Sequence, residues 1–135
     1  MSAENVEVVR TSCEAWLRGD LDAMSKTWHP EVEWDTTHFD GWVENNVYRG
    51  QDEVRRFLEE WLASWDRESY EASFDLLDKG GQVVVFWSQR MTGRGSGAPV
   101  KLDSAQVVTL RDGKVRRIDN YSDLNKALAA IGLQE

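Results

Sequence analysis

Cysteine is all but missing from this chain. Cys13 stands alone among 135 residues, which excludes an intrachain disulfide and any zinc site built on cysteines. Histidine is nearly as scarce, with only His29 and His38. Positive charge is also short: 16 basic residues face 24 acidic ones, giving a net charge of −8. A nucleic-acid partner is held mainly by Lys and Arg, so that class is excluded, as is docking on an anionic membrane surface. No apolar run approaches the about 20 residues of a membrane span, and the first residues lack the apolar stretch of a secretion signal. The expected location is therefore the cytoplasm. What the chain does have is tryptophan, seven of them, in a length that suits one domain (residues 1–135) with one core.

The apolar residues follow a helical period at first. Val6, Val9, Cys13, Trp16 and Leu17 predict an amphipathic helix over 4–18. Gly19 suits the residue that ends it, and Asp20 the cap that starts the next. Leu21, Met24 and Trp28 continue the stripe until Pro30. A third helix, 51–66, carries Val54, Phe57, Leu58, Trp61, Leu62 and Trp65 on one face, with Arg55, Arg56, Glu59 and Glu60 opposite. From Tyr70 the period becomes two, predicting strands at 70–77, 82–92, 100–110 and 115–121. Short turns between them imply antiparallel neighbours, and Asp112-Gly113 is a strong two-residue hairpin signal. Ser122 is placed to cap a last short helix bearing Leu124, Leu128 and Ile131.

Residues 82–92 are apolar on both faces, with Val83, Val85 and Trp87 on one side and Val84 and Phe86 on the other. Such a sheet needs cover on both sides. Three helices cover one, so the other predicts a partner, most simply a second copy in a homodimer. The 28–50 segment, between helices, is rich in aromatics and carboxylates. Disordered loops are poor in aromatics, so it is expected to fold over something.

The joint Arg18-Gly19-Asp20-Leu21-Asp22-Ala23, the entry His29-Pro30-Glu31-Val32-Glu33-Trp34, Tyr48-Arg49-Gly50, the hairpin Leu110-Arg111-Asp112-Gly113-Lys114-Val115 and Tyr121-Ser122-Asp123 together carry a resemblance over nearly the whole chain. It resembles the SnoaL-like branch of the nuclear transport factor 2-like superfamily, beside ketosteroid isomerases and polyketide cyclases. The resemblance implies an α+β fold: a curved antiparallel sheet wrapped by three N-terminal helices, a cone-shaped, cystatin-like roll. It further implies a conical cavity for a small apolar or cyclic ligand, with no cofactor. These motifs specify a fold better than a chemistry, since they are joints and turns.

Asp35 falls near the position of the isomerase's general base, and a carboxylate against apolar walls is suited to moving a proton beside a carbonyl. The alternative is an Asp capping the turn at Thr36-Thr37. At the isomerase's acid the chain has Gln106, and where that enzyme has Tyr it has Ser12 or Cys13. His38 is a second proton carrier or donor. Asp119 shares a strand face with Tyr121 and Arg117, either as an acid or as part of a charge ladder on a dimer face. His29, Asp35 and His38 match no metal-ligand spacing. The Gly93–Gly97 run joins two strands, so it is a hairpin turn and not a phosphate loop. Trp16, Phe57 and Trp61 are expected in the core or pocket wall, Trp42 and Tyr48 in a lid, and Trp87 with Gln89 in the cavity or the dimer face. Two functions remain open: a cofactor-free isomerase, cyclase or lyase working by carboxylate proton transfer, or a non-catalytic binding or dimerisation module.

Overall fold

The computed structural model describes residues 2–39, 46–79 and 81–132. Helix α1 (Ser2–Leu17) and the short α2 (Leu21–Ser25) form the expected joint. Gly19 turns the chain with φ +72°, and the Asp20 side chain accepts from the Ala23 N–H. Helix α2 then stops at Ser25, earlier than the apolar stripe suggests. Trp28 begins strand β1 (Trp28–Asp35) instead, so Pro30 lies in a strand and terminates no helix. It falls in the irregular stretch of β1 between Trp28 and Glu33, where the missing N–H costs no ladder bond.

Strand β2 (Val47–Arg49) pairs with β1 and leads through Gly50 (φ +86°) into α3 (Gln51–Ala63). A three-residue strand has too few residues to show a period, and the sequence reading has no β2. Val54 and Leu58 of α3 are buried, as its stripe requires. A 3-10 turn (Arg67–Ser69) precedes the meander β3 (Glu71–Lys79), β4 (Gln82–Thr92), β5 (Pro99–Arg111) and β6 (Lys114–Tyr121). Asp112 and Gly113 both take positive φ, 54° and 74°, as the two-residue turn between β5 and β6 demands.

The six strands run in the order β2-β1-β6-β5-β4-β3. One ladder departs from the expected antiparallel sheet: β1 and β6 are parallel, with Trp34 opposite Ile118 and Asp35 opposite Asp119. Parallel pairing joins strands distant in sequence and leaves no turn signal between them.

The core divides at the sheet. On its concave face, Val32 and Trp34 of β1, Val83, Val85 and Trp87 of β4, Val108 of β5 and Ile118 of β6 pack with Val9, Trp16, Val54 and Leu58 of the helices. On the convex face, Val84, Ala105, Val107 and Tyr121 pack with Ala127 of α4 (Leu124–Ala130). Asp123 caps α4, with its carboxylate accepting from Asn125 N–H. Leu124 is exposed and Ala127 takes the buried place, so α4 covers only part of this face. Leu77 and Phe86 remain half-buried beside it. No helix among the described residues is long and apolar enough to cross a membrane.

Candidate functional site

Strand alternation sends successive side chains to opposite faces of the sheet, and this sorts the polar residues into two groups. On the concave face, between the sheet, α1 and α3, lies a cavity of about 110 Å³. Val9, Ser12, Cys13, Trp16 and Met24 line it from the first two helices, and Phe57, Leu58 and Trp61 from α3. The sheet contributes Trp34, Val85, Trp87, Gln89, Ser104, Gln106, Ile118 and Asn120, while Thr36 and Phe39 reach it from the segment after β1.

Every described lining residue is uncharged. Cys13 is the single titratable group among them, and burial pushes its thiol up to about 12. Two hydrogen-bond relays supply the polarity. Trp87 Nε1 donates to Gln106 Oε1 at 2.9 Å, Gln106 Nε2 to Asn120 Oδ1 at 2.9 Å, and Asn120 Nδ2 to the Asp35 carbonyl at 3.0 Å. Nearer α1, Trp16 Nε1 donates to Tyr70 Oη at 2.9 Å, and Tyr70 in turn donates to Gln89 Oε1. Burial pushes the Tyr70 hydroxyl up to about 12, so it stays a donor.

On the convex face the group is ionic. Asp35 is 4% exposed, but its carboxylate faces away from the cavity. Oδ1 accepts from Thr37 N–H at 2.7 Å and Thr37 Oγ1 at 2.6 Å, and Oδ2 pairs with Arg117. The same guanidinium reaches Glu33 and, at 3.0 Å, Asp119. His38 stacks on Tyr121 with ring centres 4.8 Å apart, and its Nε2 lies 3.8 Å from both Asp35 and Asp119. Burial pulls the Asp35 carboxyl upward, but the Thr37 hydrogen bonds, His38 and Arg117 outweigh it and hold the pKa below the ordinary carboxylate value. For Asp119 burial wins, and its carboxyl is raised despite Arg117.

Asp35, His38 and Asp119 bring ligand-type atoms within 4.8 Å of one another. A metal would need the Asp35 and Asp119 oxygens that Arg117 already binds, so the arginine supplies the positive charge that a divalent ion would bring. His29, the other metal candidate, accepts from Glu31 N–H through Nδ1 at 3.0 Å within β1.

The residues singled out in the sequence therefore part company. Trp16, Phe57, Trp61, Trp87 and Gln106 line the cavity. Asp35, His38, Asp119 and Tyr121 do not; they meet on the other side of the sheet. Tyr48 stacks on Phe57, with ring centres 4.3 Å apart, behind the cavity wall. Trp42 lies outside the described residues, so its expected place in a lid is untouched. Asn120 and Tyr70, which the sequence reading did not single out as site residues, complete the relays. Their signal was parity: Asn120 alternates with Asp119 and Tyr121, and Tyr70 precedes a strand in register with Gln89.

A curved mixed sheet closed on its concave side by helices over an apolar cavity defines the cone-shaped α+β class. The chain belongs to the SnoaL-like domain family, whose model matches residues 9–118. Among solved structures it is similar to an NTF2-like protein of unknown function from Burkholderia pseudomallei K96243, with 24% identity, a TM-score of 0.76, and 93% of this chain and 95% of that chain covered. TerC, co-crystallized with polyporic acid, is 23% identical with a TM-score of 0.74 over 96% of this chain and 97% of that chain. A proposed polyketide cyclase from Xanthomonas campestris pv. campestris is 22% identical with a TM-score of 0.70, covering 95% and 96%. At such identities the likeness is one of fold. No curated protein matches the sequence.

Proposed function

We propose that this SnoaL-like domain binds a small, neutral, mostly apolar ring molecule in the concave cavity. One observation carries the reading: no carboxylate, imidazole, amine or guanidinium among the described residues lines that cavity. An uncharged, aromatic-walled space with a few amides favours an uncharged ligand, because burying an unpaired charge there is costly. The co-crystallization of TerC with polyporic acid supports, by analogy of fold, a small molecule as the ligand but not its neutrality. Proton transfer by Asp35 is the weaker alternative, since it requires the carboxylate to leave Arg117 and cross to the other face. The reading includes a second copy of the chain on the part of the convex face that α4 leaves uncovered around Leu77 and Phe86.

Tryptophan fluorescence tests the binding directly, because Trp16, Trp34, Trp61 and Trp87 all line the cavity. Titration with small cyclic ketones, epoxides and steroids is expected to give saturable quenching for at least one member, followed by no turnover of it. A response that rises linearly for every compound sinks the binding reading. Turnover that disappears in Asp35→Asn restores the catalytic one.

A further inference from the structure

Strand β1 hands over to a segment that touches both faces of the sheet. Asp35 and His38 lie on the convex face, whereas Thr36 and Phe39 line the cavity. Thr36 is tied to Asn46 by hydrogen bonds of 2.9, 3.0 and 2.9 Å, and Thr37 to Asp35 Oδ1. His38 is held otherwise. Its ring lies flat on Tyr121, 8° from parallel, and its Nε2 sits 3.8 Å from both Asp35 Oδ2 and Asp119 Oδ1. At that distance neither contact is a hydrogen bond. A neutral imidazole gains only the stacking, while an imidazolium is drawn to two carboxylates at once.

The surroundings are short of that charge. Strand β1 supplies Asp35 and Glu33, and β6 supplies Asp119, Arg117 and the Tyr121 phenol. Arg117 binds all three carboxylates, and Arg49 reaches Glu33 at 3.6 Å. With the acids ionised, three negative charges meet two positive ones, and one proton on His38 completes the balance. We infer that His38 is a proton-operated strap: protonation pulls its ring onto the Asp35 and Asp119 carboxylates and thereby steadies the adjoining Phe39 in the cavity wall. The hold strengthens as pH falls through the histidine range, about 5 to 8. It weakens again in stronger acid, where Asp119 protonates before Asp35: burial raises the Asp119 carboxyl, while that of Asp35 stays below the ordinary value. The His38 side chain is 43% exposed, so water screens the attraction. The seated form therefore gains about threefold, the scale of one exposed ion pair.

Solution NMR of the full chain with labelled histidine and phenylalanine, from about pH 8 to about pH 5, tests the strap with no ligand present. Two histidines make the assignment direct. The Phe39 ring signals are expected to titrate with the midpoint of His38 and not that of His29. Solvent exchange separates a firmer hold from the mere arrival of charge. The Phe39 N–H donates to the Thr36 carbonyl at 3.1 Å; corrected for its intrinsic rate, it should be protected about threefold more on the acid side. His38→Phe keeps a ring on Tyr121 and should abolish both changes, whereas His29→Gln should abolish neither. Asp119→Asn should move the His38 and Phe39 midpoints together. Phe39 signals that stay fixed while His38 titrates, or that shift with no gain in protection, overturn the strap. That failure leaves the binding reading standing, since no ligand enters the measurement. The first comparison comes from the unmodified protein, whatever the variants do.

Discussion

Trp34 and Asp35 are adjacent in β1 and face opposite sides of the sheet: the indole lines the cavity, while the carboxylate pairs with Arg117 on the convex face. The aromatic wall and the acid that the sequence brings together are thus separated by the thickness of one strand. Asp35→Asn is expected to change the affinity of any cavity ligand less than about twofold, measured by fluorescence titration. It should cost about 1–2 kcal/mol of stability, the worth of a hydrogen-bonded charge pair that is partly screened by solvent.

Arg117 holds three carboxylates, Glu33, Asp35 and Asp119. Arg117→Met leaves them facing one another with little compensation. Urea unfolding at neutral pH should show a loss of about 2–3 kcal/mol, below the full cost of breaking a buried pair because the guanidinium is partly exposed. Reversal of most of that loss by Asp119→Asn in the same chain would identify repulsion as its cause.

Acid should weaken the fold through Asp35. Its folded pKa lies below the unfolded value, so the unfolded chain binds more protons between the two, and stability present above the ordinary carboxylate range is lost as pH falls through the folded pKa. Asp119, with a raised pKa, works in the opposite sense: stability rises as pH falls from its folded pKa toward the unfolded value. Urea midpoints from pH 7 to pH 2 should therefore dip later in the wild type than in Asp119→Asn. An Asp35→Asn variant should show the shallowest acid limb.

Gly19 offers a clean backbone test. It has φ +72°, and a Cβ built there would lie 1.7 Å from Arg67 Nη2. Gly19→Ala should cost about 1–2 kcal/mol for the left-handed conformation plus the displaced side chain. Arg67→Ala added to it should recover only the second part. Full recovery in the double variant, read from urea midpoints, would contradict the strain argument.

The convex-face reading predicts a dimer whose interface includes Phe86. Sedimentation equilibrium should give twice the 15.5 kDa chain mass, and Phe86→Arg should give the single-chain mass with unchanged far-UV circular dichroism. A wild-type monomer at high concentration would rule out the second copy.

Helices and hairpins were legible because each is announced locally. The Gly19-Asp20 joint, the six-residue stripe of α3 and the Asp112-Gly113 turn all carry their own chemistry. The parallel β1–β6 ladder was not, since nothing between distant strands encodes it. For the site, side-chain parity in β1 held the missing information: Val32 and Trp34 must share the cavity face, which sends Glu33 and Asp35 outward. Family position pulled the other way, and the geometry of this chain sided with parity. The bond from Trp16 to Tyr70 could not be read at all, because α1 and the start of β3 meet only in three dimensions.

The same parallel ladder constrains how the chain reaches its fold. Glu33 and its partner Arg117 are 84 residues apart, and β1 lies between β2 and β6. During synthesis β1 emerges long before its principal neighbour exists, whereas β3 to β6 can zip as successive hairpins. Loop-closure entropy makes the late insertion of β1 the slow event. Until Lys114–Tyr121 follows, Trp28, Val32 and Trp34 sit on an unpaired edge, a form open to pairing with other chains. The interval between making the first strand and the last is therefore when the edge of β1 is most open to pairing with another chain.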